Sequence, residues 1–271
     1  MNGLIIIVNY KSDKYSVQFI KRYIELANKH ISLYVVDNSN SVELKSFIDS
    51  TLQPKLYYFQ AKKNLGYFGA AKWLLTKIDY DISDFIIIAN NDIRILNENF
   101  FHILKQKLKI YDIIAPSITT VDEIEQNPHR DKPYTFRRNI LYKIYFSNYL
   151  IAKLISKIST FRKHLPKNKR DINQEEREIF SPHGAFIILS KSYFEKKGYI
   201  EDGYFLFGEE DSIAAIAQKN KMKIGFVPQL KILHFESKSM DKGLSKSKYN
   251  FQKKANKYIN SKYPELFKNS N

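Results

Sequence analysis

From residue 3 to residue 116, short apolar runs alternate with amphipathic stretches, and this alternation restricts the fold more than any other feature of the chain. Leu4-Ile5-Ile6-Ile7-Val8 is β-branched, ends at Asn9-Tyr10 and is followed by a helical pattern over roughly Tyr15 to Lys29. Leu33 to Val36 forms a second run, closed by Asp37-Asn38-Ser39, with Ser41 placed to cap a short helix through Ile48. Lys55 to Phe59 leads into Asn64-Leu65-Gly66-Tyr67-Phe68-Gly69-Ala70-Ala71, which opens a helix through Ile78. Phe85 to Ile88 predicts a strand buried on both faces, running directly into Asn90-Asn91-Asp92; a helix over Asn97 to Lys109 and a strand over Asp112 to Pro116 follow. Such alternation predicts an α/β fold, a mostly parallel central sheet with helices on both faces. In such sheets ligands bind in the crevice beyond the carboxyl ends of the strands. Three apolar runs deliver Asn or Asp to that edge, so metal or phosphate chemistry is expected there; a solvated turn is the plain alternative.

Composition narrows the class. With 271 residues, 44% of them hydrophobic, the chain can bury a large core, and without cysteine it has neither disulfides nor a thiolate metal site. The Leu4–Val8 run is too short for a signal-peptide core, and no apolar run approaches the roughly 18 residues of a membrane span, so a cytoplasmic protein is expected. The net charge of +16 is concentrated: residues 129–170 carry 12 Lys and Arg against Asp131 alone, and residues 238–262 carry eight Lys against Asp241. These patches suit nucleic acid, an anionic membrane or an acidic substrate.

Beyond residue 116 the pattern changes. Asn127-Pro128 and Lys132-Pro133 break the chain, and Asn139 to Phe161 mixes Ile, Leu, Tyr and Phe with Lys143, Lys153 and Lys157. A basic amphipathic helix or helical pair is predicted, lying on anionic lipid with aromatics at the acyl boundary, or else packed on the domain with a solvated basic face. Pro182 to Leu189 resumes the β pattern. Then Tyr204-Phe205-Leu206-Phe207-Gly208 leads into Glu209-Glu210-Asp211-Ser212, three acids opening a helix. Acids in a first turn complement the helix dipole, but three in succession exceed that need, and a carboxylate on a rigid helix start can act as a general base. Ile224 to Val227 and Leu230 to Leu233 read as two short strands, the second ending at His234, and Ser245 to Lys262 as a helical tail.

Taken in order, IIIVNY, VVDNS, NLGYFGAA, NNDI, HGAF, FGEEDSI and HFESKS resemble a family 2 glycosyltransferase (GT2) of the GT-A fold, similar to bacterial rhamnosyl- and galactofuranosyl-transferase-like enzymes. The resemblance spans about residues 3–239. It implies a catalytic domain over 1–239, with a nucleotide-sugar half (1–116), a basic helical insertion on the acceptor or membrane side (117–180) and an acceptor half (181–239), followed by a basic tail (240–271). Carried over by residue, it implies that Val8, Asn9 and Tyr10 line the nucleotide pocket, that Asp37 bonds the base, and that Asn64, Gly66 and Gly69 follow the nucleotide and its phosphates. Asn90-Asn91-Asp92 stands for the family's Asp-x-Asp, with only the last acid kept; Asp92 and His234 are the implied ligands of Mg²⁺ or Mn²⁺. The acid cluster matches a Glu-Asp-x-Asp-Leu motif whose second position is the catalytic base: Glu210 in one register, Asp211 in the next. His183, Gly184 and Glu209 would meet the acceptor, and Ser212 departs from the usual second Asp.

The implied activity is inverting transfer of a sugar from a UDP- or dTDP-activated donor to a hydroxyl of a lipid-linked glycan. Peripheral attachment to the inner face of a bacterial plasma membrane and a role in O-antigen or capsule synthesis are part of the same expectation. A nucleic-acid-binding protein would use the two basic patches but leave the core acids without a purpose, so no nucleic-acid partner is expected. The Asn90 and Ser212 departures raise a further alternative, an inactive scaffold.

Overall fold

The computed structural model describes residues 1–26, 30–80, 83–164, 175–235 and 244–267. Outside them fall the end of the first predicted helix, residues 165–174 of the basic insertion, and residues 236–239 of the HFESKS motif. In chain order the elements are β1 (Gly3–Asn9), α1 (Asp13–Leu26), β2 (Ile31–Asp37), α2 (Val42–Ser50), β3 (Leu56–Gln60), α3 (Tyr67–Leu75), β4 (Phe85–Asn90), β5 (Ile93–Ile95), α4 (Phe100–Lys107) and β6 (Ile113–Thr120). They continue as α5 (Phe136–Ser147), α6 (Tyr149–His164), β7 (Arg177–Glu178), β8 (Phe186–Ser190), α7 (Lys191–Glu195), α8 (Glu209–Lys219), β9 (Ile224–His234) and α9 (Lys246–Lys262).

One mixed sheet carries these strands in the order β3-β2-β1-β4-β8-β6-β9-β5, with β7 beside β9. β1, β2, β3, β4, β6 and β9 point the same way, while β8, β5 and β7 run against them. The expected mostly parallel α/β sheet is present. Its β8 comes from the second half of the chain and inserts between β4 and β6, which joins both halves of the sequence into one sheet.

Strand alternation divides the core. Leu4, Ile6, Ile86, Ile88, Ile187 and Leu189 face α3, α8 and α9; Ile5, Ile7, Phe85, Ile87, Phe186 and Ile188 face α1, α2 and α4. Each such side chain, wholly buried, contributes about 1.5–3 kcal/mol of transfer free energy, which is why these unbroken apolar runs read as central strands. Helix starts follow their caps: Ser41 Oγ accepts from the Leu44 N–H at 3.0 Å, and Ser245 Oγ from the Lys248 N–H at 3.1 Å.

Two strand assignments change. The segments 224–227 and 230–233 form one strand, β9, whose pairing with β6 jumps from Pro116↔Val227 to Ser117↔Lys231. The extra residues form a bulge that accommodates Pro228, which has no N–H to give the ladder. The tripeptide after Asp92 becomes β5, paired antiparallel to the end of β9 through Ile93↔His234. The basic segment after residue 135 is a helical pair, with α5 and α6 meeting at Asn148.

Candidate active site

The parallel register brings the carboxyl ends of β1, β2 and β4 to one edge, with Asn9 level with Asp37 and Val8 level with Asn90. Asn9 is fully enclosed. Its Nδ2 donates to Asp13 Oδ1 (2.8 Å), Asp37 Oδ1 (3.0 Å) and Ser39 Oγ (3.2 Å), and its Oδ1 accepts from Ser16 Oγ (3.0 Å) and Asn91 Nδ2 (3.1 Å). Asn91 Nδ2 also reaches Ser12 Oγ (2.7 Å) and Ser16 Oγ (2.8 Å). Asp37 is fully buried and accepts from Asn9, the N–H and hydroxyl of Ser39, the N–H of Ser41 and the Tyr58 hydroxyl. Burial pushes its carboxyl up, but the Ser39 hydroxyl, the Ser41 and Ser39 N–H groups and Asn9 outweigh this and hold it below the usual carboxylate range. Both Asp37 oxygens are enclosed and engaged in fixing the turn that follows β2.

That network shapes an open cleft of about 580 Å³ lined by residues 10–15 with Asn91 and Asp92. Tyr10 is 49% exposed at its mouth. Val8 is half-buried, and the Asn90 N–H donates to Ala185 O at 2.9 Å. The glycine loop is tied across from β2: Asn38 Nδ2 donates to Gly66 O (2.9 Å), Asn38 Oδ1 accepts from the Leu65 N–H (3.2 Å), and Asn64 Oδ1 accepts from the Gly66 N–H (2.9 Å). Gly66 has φ of +78°, and a Cβ there would lie 2.1 Å from Phe205 O. No other residue fits without displacing backbone. Gly69, inside α3, meets no such obstacle.

The β5–β9 pairing places Asp92 beside His234. The Phe235 N–H donates to Asp92 O at 2.8 Å, and His234 Nε2 lies 3.3 Å from Asp92 Oδ1. Gln126 Oε1 sits 2.7 Å from His234 Nδ1. With Nδ1–H donating to Gln126, Nε2 turns a lone pair towards a carboxylate, an arrangement that a cation between the two would satisfy. Neighbouring ligands of a small divalent cation lie about 3 Å apart, so one carboxylate oxygen and one imidazole nitrogen fit such an ion, with further oxygens coming from water or phosphate. Among the described residues no group of three or more His, Cys, Asp or Glu gathers.

The acids at the start of α8 separate into three environments. Glu210 Oε1 accepts from the Gly184 N–H at 3.1 Å, and a Cβ at position 184 would lie 2.8 Å from that oxygen. Burial pushes its carboxyl up, yet His129, His183 and the Gly184 N–H outweigh this and hold it below the usual range. Asp211 is raised, chiefly by burial, and accepts from the Tyr134 hydroxyl at 2.5 Å. Glu209 is pushed up to about 8 by burial and the adjacent Glu210 charge; its Oε2 accepts from the Gly208 N–H, while its buried Oε1 has no partner. Of the two registers left open by sequence, Glu210 is held by the Gly184 N–H and Asp211 by the Tyr134 hydroxyl. Ser212, in place of an acid, is fully buried and bonded to the Tyr204 hydroxyl at 2.7 Å.

These groups converge. The Tyr67 hydroxyl donates to Gly184 O (3.0 Å), the His183 ring lies 6.3 Å from the His234 ring, and the His129 ring 6.4 Å from that of His183. The path from Asp92 through His234 and His183 to Gly184 and Glu210 is continuous. Sequence reading missed Asn38, Gln126, His129 and Tyr134. The first lies inside the VVDNS motif, but the other three sit in an irregular stretch whose approach to β9 and α8 has no local signal.

No family model matches the chain. A curated relative, the low-salt glycan biosynthesis hexosyltransferase Agl10 of Haloferax volcanii, is 25% identical over 233 residues, covering 85% of this chain and 66% of that protein. Among solved structures, GalNAc-T7 with UDP, GalNAc and Mn²⁺ superposes with a TM-score of 0.60 at 13% identity, over 87% of this chain and 44% of that one. TarS of S. aureus in complex with UDP-GlcNAc gives 0.58 at 14% identity, over 96% and 66%. The chain thus spans 66% or less of each of these proteins. Sheet order, site placement and these likenesses agree: the chain has the GT-A fold of glycosyltransferases and is similar in sequence to a hexosyltransferase of glycan biosynthesis.

Proposed function

We propose that the chain is an inverting glycosyltransferase of the GT2 type. It moves a sugar from a UDP- or dTDP-activated donor to a hydroxyl of a lipid-linked glycan, at the inner face of a bacterial plasma membrane and in the synthesis of a surface polysaccharide. The observation that carries this reading is the buried Glu210 carboxylate, held by the Gly184 N–H within one connected site that also contains the facing Asp92–His234 pair. The names of the similar proteins, a hexosyltransferase and enzymes solved with UDP or UDP-GlcNAc, support the donor class.

In this reading the nucleotide enters the cleft at Tyr10, and the glycine loop at Gly66 lets backbone approach it closely. Asp92 and His234 would hold Mg²⁺ or Mn²⁺, which supplies charge neutralisation for the diphosphate when bound. The acceptor hydroxyl gives its proton to Glu210 as its oxygen bonds to the anomeric carbon. On the opposite face the bond from that carbon to the diphosphate oxygen breaks, and the electron pair leaves with the nucleoside diphosphate. His129 and His183 lie beside Glu210 and favour its charged form. Asn9, Asp37 and Asn91 act by fixing the edge of the cleft.

The test is turnover: release of nucleoside diphosphate from a panel of UDP- and dTDP-sugars, with and without Mn²⁺. Metal-dependent release from at least one donor is expected. Binding of polynucleotides with no turnover of any nucleotide sugar would overturn the reading.

A further inference from the structure

The outer face of the α5–α6 pair has no partner within the described chain. Of the 18 large apolar side chains exposed among the described residues, eight lie between 136 and 158, so the patch is a feature of this hairpin and not of the surface at large. They fall at helical spacing: Phe136, Ile140 and Ile144 along α5, and Leu150, Leu154 and Ile158 along α6. Apart from Phe136, the aromatics expected at a lipid boundary are on the opposite side. Tyr145, Phe146 and Tyr149 pack on Tyr249 of α9, whose hydroxyl donates to Phe146 O at 3.0 Å, while the Tyr149 hydroxyl donates to Leu244 O at 3.0 Å. The inner face therefore anchors the hairpin and leaves the aliphatic stripes outward.

Charge identifies what the stripes meet. Residues 136–158 contain Arg137, Arg138, Lys143, Lys153 and Lys157 and no acid, and all five cations are exposed beside the stripes. α9 alongside adds Lys246, Lys253, Lys254 and Lys257, also exposed. A second copy packed on this face would oppose like charges with no counter-ion. A polynucleotide would find cations but, Phe136 apart, aliphatic side chains where stacking platforms are needed. We propose that the α5–α6 hairpin is a foot that lies in the surface of an anionic bilayer, its Ile and Leu stripes at the acyl boundary and its cations among the lipid phosphates. No described helix is long and apolar enough to cross a membrane, so the foot lies in the interface.

The foot is also tied to the site. Arg130 Nη2 donates to the hydroxyl of Tyr142 on α5 at 2.7 Å, and Tyr134, one residue before the Thr135 cap of α5, donates to Asp211 at 2.5 Å. An acceptor held in the bilayer would then reach the α8 side of the cleft. That last inference rests on the transferase reading, whereas the lipid surface stands without it.

The experiment is flotation of the full chain with phosphatidylcholine vesicles, with and without phosphatidylglycerol. Wild type is expected to float with the anionic vesicles and much less with the neutral ones. Two variants, Ile144→Ser with Leu154→Ser, and Lys143→Glu with Lys153→Glu and Lys157→Glu, are expected to bind at least about tenfold more weakly at an unchanged melting temperature. The charge variant changes exposed lysines only and carries the test if the apolar variant unfolds. Wild-type binding by both variants, or no flotation of wild type with anionic vesicles, would overturn the proposal. So would a dimer that the apolar variant converts to monomer. Nucleoside diphosphate titrations of the same proteins report on the transferase reading separately.

Discussion

Two clusters of polar side chains lie at the same edge of the sheet, and they differ in how completely their hydrogen bonds are used. Around Asn9, Asp37 and Asn91 the described donors and acceptors are turned on one another, and Asp37 alone accepts five bonds. At the start of α8, Glu210 carries a charge against a burial penalty, Glu209 keeps a buried oxygen without a partner, and Asp211 is raised. A satisfied network stabilises shape, while unspent charge in a dry place is what proton transfer requires. On the proposed reading the first cluster is scaffold and the second carries the chemistry, although sequence alone shows both as Asn and Asp after a strand or acids at a turn.

Substitution should separate the two. Glu210→Gln is expected to lower the rate of sugar transfer by a factor of about a hundred to ten thousand with the melting temperature kept, while Asp211→Asn loses far less; equal losses would put the base at neither residue alone. Asp37→Ala, which strands several buried donors, is expected to cost about 3 kcal/mol in denaturant unfolding, with activity falling only as the fold does. If Asp37→Ala instead kept full stability and lost donor binding, the scaffold assignment would fail. Gly66→Ala combines a left-handed φ with a clash on Phe205 O and is expected to destabilise by about 2 kcal/mol. A neutral result there would mean that the loop between β3 and α3 is less constrained than its bonds to Asn38 imply.

The smallest effect concerns pH. Glu209 is raised in the folded protein to about 8 from 4.5, so folding holds its proton more tightly. Its contribution is fully present below about pH 4.5 and is lost as pH rises towards 8, with a slope of at most about 1.4 kcal/mol per pH unit. Glu209→Gln should flatten stability across that window, and an unchanged slope would show that another group titrates there.

The sheet was readable because its strands are unbroken apolar runs and each closes on a polar turn. Phe85–Ile88 and Leu4–Val8 leave no second interpretation once helical patterns separate them. Less readable was any feature made by distant segments. β9 reads as two strands because Pro228 interrupts the pattern, and only its pairing with β6 shows the bulge that absorbs it. Asp92 stood out from the turn after β4, whereas His234 was singled out only through the family resemblance, and the antiparallel β5–β9 pairing that joins them spans some 140 residues and leaves no local trace. Asp37 shows the opposite limit. Its position after β2 was correctly seen, but how many neighbours its carboxylate satisfies depends on Tyr58 and Ser41, which no motif connects to it. For α5–α6 the basic amphipathic character was legible, but which face carries the aromatics was set by Tyr249 of α9.

The most direct measurement is a calorimetric titration of UDP and dTDP into wild type and Asp92→Ala, each with Mn²⁺ and with the metal removed. Tight binding of one nucleotide to wild type only when Mn²⁺ is present, abolished in a stably folded Asp92→Ala, is the predicted result. Equal affinity with and without metal, unchanged by Asp92→Ala, would contradict a cation held between Asp92, His234 and the diphosphate of a donor.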